Sequence, residues 1–236
     1  MDDHQRIRDN LLRVQERIDA AAQKVGRRSD EITLIGVSKT HPAAAIRAAY
    51  EAGLRHFGEN RVQEWEGKRG ELGALQAHWH LVGHLQSNKA ARAAGLFHSV
   101  DSIDDLALAQ RLDRARGEQQ ANAPKLRVLI EVRVEDEESK SGVKPEEAVA
   151  LAAKVSEYAH LELAGLMCIP PFLDDPAKVK PYFQRLRELR DSLAREIGRE
   201  LPVLSMGMSH DFEVAIEEGA TEVRVGTAIF GSRPVK

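Results

Sequence analysis

Residues 34–42, Leu-Ile-Gly-Val-Ser-Lys-Thr-His-Pro, contain the end of a buried strand, a lysine and the start of a helix. The apolar run at 32–37 predicts the strand, and Lys39 stands just after that run. Pro42 fits the first position of a helix that continues to about Tyr50. This order of strand, short loop and helix recurs along the chain and decides the predicted fold.

Strands alternate with helices eight times in the sequence pattern, which predicts a parallel sheet with helical crossovers. Eight such units in 236 residues predict an α/β fold, a closed (β/α)₈ TIM barrel that forms a single domain over 1–236. Helical spacing of apolar residues before Gly26 predicts an extra N-terminal helix, within 1–26, packed on the barrel. An open doubly wound sheet is the alternative, but the first strand lacks the Gly-x-Gly-x-x-Gly turn that would support it. The predicted strands cover residues 32–37, 54–57, 79–82, 97–100, 125–132, 161–167, 203–205 and 223–225.

The composition is that of an ordinary globular protein, with 42% hydrophobic residues, 30% charged residues and a net charge of −3. There is no basic excess of the kind that nucleic-acid binding requires, so we expect no nucleic-acid partner. The polar N-terminus is unlike a signal peptide, and no apolar stretch approaches the roughly 20 residues of a membrane span. We therefore expect a cytoplasmic protein without a membrane segment. Its single cysteine, Cys168, excludes an internal disulfide and a multi-cysteine zinc site.

Lys39 meets the main condition for a reactive group in such a barrel, because it follows the C-terminal end of a strand. Alternation places Ile35, Val37 and Lys39 on one face of that strand. If this face lines the barrel, desolvation lowers the lysine pKa from about 10.4 and frees the neutral amine that a Schiff base needs. The alternative is a lysine whose stem is buried and whose tip reaches solvent. This stretch alone leaves both alternatives open.

Two loops near the C-terminus carry the groups that a phosphate site needs. Residues 205–209, Ser-Met-Gly-Met-Ser, follow the seventh predicted strand, and Gly226 and Thr227 follow the eighth. Small residues permit close approach, backbone N–H groups at a helix start attract an anion, and hydroxyl groups donate hydrogen bonds. Glycine and serine also form ordinary turns, but the adjacent placement of the two loops favours a phosphate site. Ser209 is also predicted to cap the helix that follows it.

Arg224 lies inside the eighth predicted strand and faces the opposite way from Val223 and Val225. Pointing inward, its side chain would place a fixed positive charge beside any ligand in the barrel mouth. Pointing outward, it would pair with a carboxylate on the last helices.

Histidines near the third strand raise the question of a metal site. His78 and His80 form a His-x-His pair of the kind that can bind zinc. They precede the apolar part of the strand, so they fall at the N-terminal rim of the barrel, away from its chemistry. His84 lies at the other end but has no companion, and we therefore expect no metal site.

Two further segments carry predictions about loops. Asp101 or Ser102 is predicted to cap a helix over 103–116. The polar segment 135–142 is predicted to be a solvated loop, placed where it could gate the mouth.

Several longer motifs, spread in order over essentially the whole chain, resemble those of a known family. This family is the pyridoxal phosphate homeostasis proteins, of the alanine-racemase N-terminal-barrel type. Together the motifs are far more specific than any one of them. They are Val37-Ser38-Lys39-Thr40, Phe57-Gly58-Glu59-Asn60-Arg61-Val62-Gln63-Glu64, Trp79-His80 with Gly83, Leu85-Gln86-Ser87-Asn88-Lys89, Ser139-Lys140-Ser141-Gly142, Gly165-Leu166-Met167, Ser205-Met206-Gly207-Met208-Ser209 and Arg224-Val225-Gly226-Thr227-Ala228-Ile229-Phe230-Gly231.

The resemblance implies that pyridoxal phosphate is the cofactor and that Lys39 holds it covalently as a Schiff base. It also implies a set of non-covalent contacts around the barrel mouth. These are Ser205 or Ser209 with Gly226 and Thr227 for the phosphate, Arg224 for the pyridine nitrogen, and Asn60 and Met167 lining the cofactor.

Three residues depart from the pattern of the family that this sequence resembles. His84 stands where proline is usual, His210 where an acidic residue follows Met-Ser, and Arg133 where asparagine is usual after the fifth strand. None of them belongs to the lysine or phosphate motifs. We therefore expect cofactor binding to be retained and the shape of the mouth to differ.

The resemblance also bears on catalysis. The related racemases place an arginine at the pyridine nitrogen, which weakens the ring as an electron sink, and they add a tyrosine base from a separate C-terminal domain across a dimer. Because this sequence ends at Lys236, soon after the eighth strand, we expect no second base, an open mouth and a monomer. The expected function is non-catalytic carriage of pyridoxal phosphate in cofactor homeostasis, with transient contact with pyridoxal phosphate-dependent enzymes. A weak amino-acid racemase, or a barrel for another phosphorylated metabolite, is the alternative.

Overall fold

The computed structural model of the protein describes residues 3–119, 123–135 and 141–232. Within these residues, eight parallel strands close into a barrel in chain order, and the last strand pairs with the first. The predicted (β/α)₈ barrel is confirmed. The strands are β1 Thr33–Val37, β2 His56–Glu59, β3 His78–Leu81, β4 Ser99–Ile103, β5 Leu126–Glu131, β6 Leu161–Met167, β7 Val203–Ser205 and β8 Glu222–Val225.

Helices follow the strands and surround the barrel, so the apolar faces of the two layers form the core between them. None of the helices in the described part of the chain is long and apolar enough to cross a membrane. Short 3₁₀ turns lie at Ser29–Glu31, Ser87–Lys89 and Pro176–Val179. The helices are α1 Asp3–Lys24, α2 Ala43–Glu51, α3 Val62–Leu72, α4 Ala90–Leu96, α5 Leu106–Gln119, α6 Pro145–Ser156, α7 Lys180–Ile197, α8 Phe212–Glu217 and α9 Thr227–Phe230.

The predicted extra helix is confirmed as α1, which packs across α2, α8 and α9. Arg6 Nη1 donates a hydrogen bond to the Phe230 carbonyl at 3.0 Å. Asn10 Nδ2 donates to the Ile229 carbonyl, also at 3.0 Å. These carbonyls belong to the last turn of α9 and would otherwise lack donors. The helix α1 therefore fixes the short helix that follows β8. Its buried side consists of Ile7, Leu11, Val14, Ile18, Ala21 and Ala22.

The helix cap predicted after the fourth strand is wrong. Asp101 and Ser102 lie inside β4, and the side chain of Asp105 instead accepts a hydrogen bond from the Leu108 amide at 2.7 Å. The sequence pattern ended this strand at Val100, before the charged Asp101, whereas the barrel interior satisfies such a residue. Ser99, for example, donates to Asp101 within β4. The strand therefore continues through positions that resemble a loop in the sequence.

Candidate functional site

A cavity of about 910 Å³ opens at the C-terminal ends of the strands. Residues that follow β1, β2, β3 and β8 meet there, as the position of reactive groups in such barrels predicts. Six of the eight site residues proposed from the sequence line this cavity. They are Lys39, Asn60, Ser209, Arg224, Gly226 and Thr227.

The inward face of β1 leads directly to Lys39. Ile35 is fully buried, Val37 lines the cavity wall, and the half-buried Lys39 follows on the same side of the chain. The strand therefore places the Lys39 side chain in the wall of the cavity, and its reactivity stays a prediction.

Ser209 connects the loop after β7 to the loop after β8. Its Oγ accepts hydrogen bonds from the Gly226 amide at 3.2 Å and from the Ala228 amide at 3.3 Å. The prediction that Ser209 caps the next helix is wrong, because Asp211 occupies that position before α8. Two backbone N–H groups thus converge on one oxygen at the cavity wall. Such an arrangement of amides suits a phosphate oxygen.

Arg224 points into the barrel. It is level with Ile35 in the pairing of β1 with β8, and it is only 4% exposed. Its Nη1 donates to Ser205 Oγ and its Nη2 to the Cys168 carbonyl, both at 2.8 Å. The outward alternative is therefore excluded. The two buried acceptors fix the direction in which the guanidinium group points.

Ser205 and Met167 are the two proposed site residues that do not line the cavity. Both are fully buried at the ends of β7 and β6, and Ser205 is occupied as an acceptor for Arg224. Neighbouring Cys168 is also fully buried, and burial raises the pKa of its thiol to about 12. The thiol therefore stays protonated at neutral pH, as expected for a small buried side chain.

Glu131, the last residue of β5, lines the cavity and was missed by the sequence reasoning. Its side chain is nearly fully buried, and within the described part of the chain its Oε2 has no hydrogen-bond partner. Burial, and then the nearby Asp104 carboxylate, raise the pKa of Glu131. The sequence did contain a signal, because Glu131 is a charged residue at the end of an apolar strand, just as Lys39 is.

Asp211, also absent from the sequence predictions, lines the cavity as well. Its Oδ1 accepts a hydrogen bond from the Met208 amide at 2.6 Å and so shapes the loop after β7. Burial raises the pKa of Asp211, while the hydrogen bond from Met208 opposes that rise. This residue has no strand-end position, so its place in the cavity depends on the loop conformation.

Two of the three departures from the family pattern lie in the cavity wall. His84 Nδ1 is 3.1 Å from Asp104 Oδ2. His210 Nε2 donates to the loop after β6, at 3.1 Å from the Leu173 carbonyl. Arg133 is half-buried and is not among the lining residues. Residues 136–140, the centre of the loop predicted to gate the mouth, lie outside the described residues.

His80 lies in the barrel interior at its N-terminal end, not on the rim. It is 2% exposed, with its Nδ1 3.3 Å from Asp101 Oδ2. Ligand atoms of His80, Asp101 and Glu222 fall within 4.8 Å of one another. Arg127 Nη2 donates to Glu222 Oε1 at 2.5 Å, so a protein cation already balances these carboxylates. His56 Nδ1 lies 3.0 Å from His80 Nε2, and burial, followed by repulsion from His80, lowers the pKa of His56 to about 3. The expected absence of a metal site stays a prediction.

The barrel is similar to solved structures from two groups of proteins. PipY from Synechococcus elongatus, solved with PLP bound, is 40% identical with a TM-score of 0.81, covering 92% of this chain and all of that one. An alanine racemase from Clostridium difficile is 14% identical with a TM-score of 0.75, covering 98% of this chain and 58% of that one. At that identity the second likeness shows the fold alone.

Sequence comparison identifies the family. The model of the alanine racemase N-terminal domain matches residues 3–234. A protein from Pseudomonas aeruginosa is 48% identical over 227 residues, covering 96% of each chain. Another from Aquifex aeolicus is 47% identical over 225 residues, covering 95% of this chain and 97% of that one. Both are named pyridoxal phosphate homeostasis protein. The chain therefore belongs to the alanine racemase N-terminal domain family, among the pyridoxal phosphate homeostasis proteins.

Proposed function

We propose that this protein binds pyridoxal phosphate on Lys39 as a Schiff base and takes part in intracellular cofactor homeostasis without catalysis. The observation that carries the proposal is one cavity in which Lys39 lies with the amides that converge on Ser209 and with the inward guanidinium group of Arg224. The PLP bound to PipY and the names of the relatives support it.

The residues of the cavity fit the three functional groups of this cofactor. The phosphate needs hydrogen-bond donors, which the Thr227 hydroxyl and the Ser209 hydroxyl provide, and the hydrogen bonds from the Gly226 and Ala228 amides hold Ser209 Oγ in place for this. Arg224 offers N–H donors to a pyridine nitrogen, and Asn60 lines the wall after β2. The cavity volume of about 910 Å³ lies within the usual range for a small-molecule site.

The aldehyde needs an amine. The neutral amine of Lys39 supplies the electron pair for a C=N bond, and the aldehyde oxygen leaves as water with two hydrogens from the nitrogen. The reaction needs no further reactant.

A carrier role without catalysis is supported by the other residues of the cavity. Tyr50, Tyr158 and Tyr182 are the tyrosines of this sequence, and among the described residues none of the three lines the wall. A cationic arginine at the pyridine nitrogen also disfavours protonation of the ring, so the ring is a weaker electron sink. These features suit a site that holds the cofactor better than one that moves protons at carbon.

The edge of the cavity supports the proposal of transient contact with cofactor-requiring enzymes. Ile169 and Phe172, which line the mouth on the loop after β6, are 42% and 74% exposed. Exposed apolar side chains beside a ligand site can join a short-lived interface. We also propose a cytoplasmic monomer, and the buried free thiol of Cys168 suits a reducing compartment.

Reduction with borohydride tests the attachment. Purified protein incubated with pyridoxal phosphate should gain visible absorption, and after reduction the added mass should map to Lys39. Lys39→Ala should lose both signals, whereas Lys154→Ala, at an exposed position on α6, should keep them. A reduced adduct of equal yield in Lys39→Ala would contradict the assignment.

Incubation with single-enantiomer amino acids tests the claim that the protein is not an enzyme. We expect the chirality to stay constant over many hours with the loaded protein. Steady racemisation that Lys39→Ala abolishes would establish the alternative, a weak racemase. A protein that stays colourless with pyridoxal phosphate yet binds another phosphorylated metabolite would overturn the cofactor assignment.

A further inference from the structure

We propose that Lys68 and Glu64 are positioning residues for Lys39, because from helix α3 they hold the peptide groups on both sides of the lysine. This inference rests on the proposed function, since it concerns how Lys39 is presented to an aldehyde. Lys68 and Glu64 lie one helical turn apart, and neither lines the cavity.

The peptide group before Lys39 is held by Lys68. The Lys68 ammonium group donates to the Ser38 carbonyl at 3.0 Å. On the same residue, the Ser38 amide donates to the Gly58 carbonyl at 2.9 Å, and the Ser38 hydroxyl donates to Glu59 Oε1 at 2.7 Å. Ser38 is therefore fixed through its amide, its carbonyl and its side chain.

The peptide group after Lys39 is held by Glu64. The Thr40 amide donates a hydrogen bond to Glu64 Oε1. Thr40 has a φ of +67°, a left-handed conformation that a threonine adopts only when its surroundings impose it. The hydrogen bond from Thr40 to Glu64 supplies such a restraint, and the chain then turns sharply after the lysine.

Lys68 also contacts both of the acidic side chains that hold this segment. Its Nζ lies 2.8 Å from Glu59 Oε1 and 3.3 Å from Glu64 Oε1, and its side chain is only 13% exposed. The Glu59 side chain is fully buried. Buried ionic groups are costly to keep, and apolar residues of similar volume often fill such a space at least as stably. The cluster is therefore better explained by the precise geometry that it imposes on residues 38–40.

The consequence for chemistry is preorganisation. With the main chain fixed on both sides, Lys39 loses little main-chain freedom when its amine forms a bond in the cavity. Loss of the restraint adds the cost of ordering the main chain, which weakens the covalent step selectively. Non-covalent phosphate binding uses the loops after β7 and β8, whereas Lys68 and Glu64 form hydrogen bonds with Ser38, Glu59 and Thr40, so we expect phosphate binding not to depend on this restraint.

The first experiment separates these two steps. Lys68→Met is compared with Lys154→Met, which removes an exposed lysine from α6. For each we would measure the Schiff-base equilibrium constant by visible absorption, and the affinity for an analogue of the cofactor that lacks the aldehyde. We expect Lys68→Met to weaken Schiff-base formation at least tenfold with the analogue affinity unchanged. Equal losses in both constants, or no loss in either, would overturn the inference.

The second experiment uses the protein without cofactor, so it also decides the case if Lys68→Met does not fold. Glu64→Ala removes the acceptor of the Thr40 amide, whereas Glu64→Gln keeps an acceptor oxygen. We expect the Thr40 amide to exchange with solvent deuterium at least tenfold faster in Glu64→Ala than in Glu64→Gln. Equal exchange rates in the two variants would contradict the role of Glu64.

The two proposals can fail separately. If the wild-type protein forms no Schiff base on Lys39, the proposed function fails. If the wild type forms it and the Lys68 and Glu64 variants form it equally well, only the positioning role fails.

Discussion

Single buried polar residues determine what the cavity can bind. Arg224 cannot turn away without leaving Ser205 Oγ and the Cys168 carbonyl unpaired, and buried groups without partners are costly. Its positive charge is therefore a permanent feature of the wall. Glu131 differs, because its buried Oε2 has no partner in the described part of the chain, so its protonation state can follow pH.

Replacement of Glu131 should change how stability depends on pH. Burial, then Asp104, raise the Glu131 pKa in the folded protein, against the lowering effects of Arg224, of the hydrogen bond with Ser141 and of His84. As pH rises above the ordinary glutamate value of about 4.3, the unfolded chain releases a proton that the folded protein retains, so the wild type loses stability up to the raised pKa. Glutamine does not titrate. Glu131→Gln without cofactor should therefore be more stable than wild type, and its advantage should grow across this window.

Urea unfolding at a series of pH values measures that difference. Glu162→Gln, at an exposed position on β6, serves as the matched control. A stability advantage of Glu131→Gln that is the same at every pH would contradict the raised pKa.

At the scale of elements, the short β8–α9 unit is fixed from several directions. Ser209 Oγ accepts hydrogen bonds from the Gly226 and Ala228 amides at the start of α9, and Arg6 donates to the last carbonyl of α9. Before it, Gly207 has a φ of +94°, and a Cβ there would lie 2.6 Å from that of Ala215. A glycine is needed at that turn, which brings α8 against the loop. The proposed phosphate-binding loops are thus held by packing on both sides.

A second glycine is expected to be sensitive to substitution because its strand lies very close to the neighbouring one. A Cβ at Gly165 in β6 would lie 1.9 Å from the Val203 carbonyl oxygen of β7, so Gly165→Ala must displace a neighbouring strand. We expect it to lower the free energy of unfolding by about 1–3 kcal/mol or more. Gly67→Ala is the matched control, because nothing lies within 4 Å of its Cβ inside α3. That change should raise stability by up to about 1 kcal/mol. Equal effects in urea unfolding would contradict this reading of the strand contact.

At the scale of the whole molecule, the described residues place their exposed large apolar side chains on three separate segments. Leu12 and Val25 lie on or just after α1, Leu106 on α5, and Ile169 and Phe172 at the mouth. A stable dimer usually buries a larger continuous apolar surface.

We therefore expect a monomer of 26.2 kDa by sedimentation equilibrium, with a mass that does not change with concentration. A mass near twice that value at micromolar concentration would contradict the proposal. Phe172→Ser and Leu12→Ser would then show which exposed segment forms the contact.

The barrel could be predicted from the sequence because its signals are local. The apolar runs of the strands, the helical spacing between strands and the position of Lys39 after β1 are all determined by neighbouring residues. The ends of the strands were harder to predict from the sequence. In β4 the buried Asp101 is paired with His80 of the neighbouring strand β3 as well as with Ser99, and the sequence pattern does not reveal the partner on β3, so the predicted strand ended too early.

The sequence by itself determined the eight βα units and the place of Lys39 at the end of the first strand. The tertiary structure decided that Arg224 points inward, that Ser209 Oγ accepts hydrogen bonds from amides of the next loop and that Glu131 lines the cavity. It also decided that Lys68, distant from Lys39 along the chain, holds the carbonyl before it. The physical reason is closure of the barrel. Closure brings β8 beside β1 and determines which distant donors and acceptors meet, and no local spacing in the sequence contains that information.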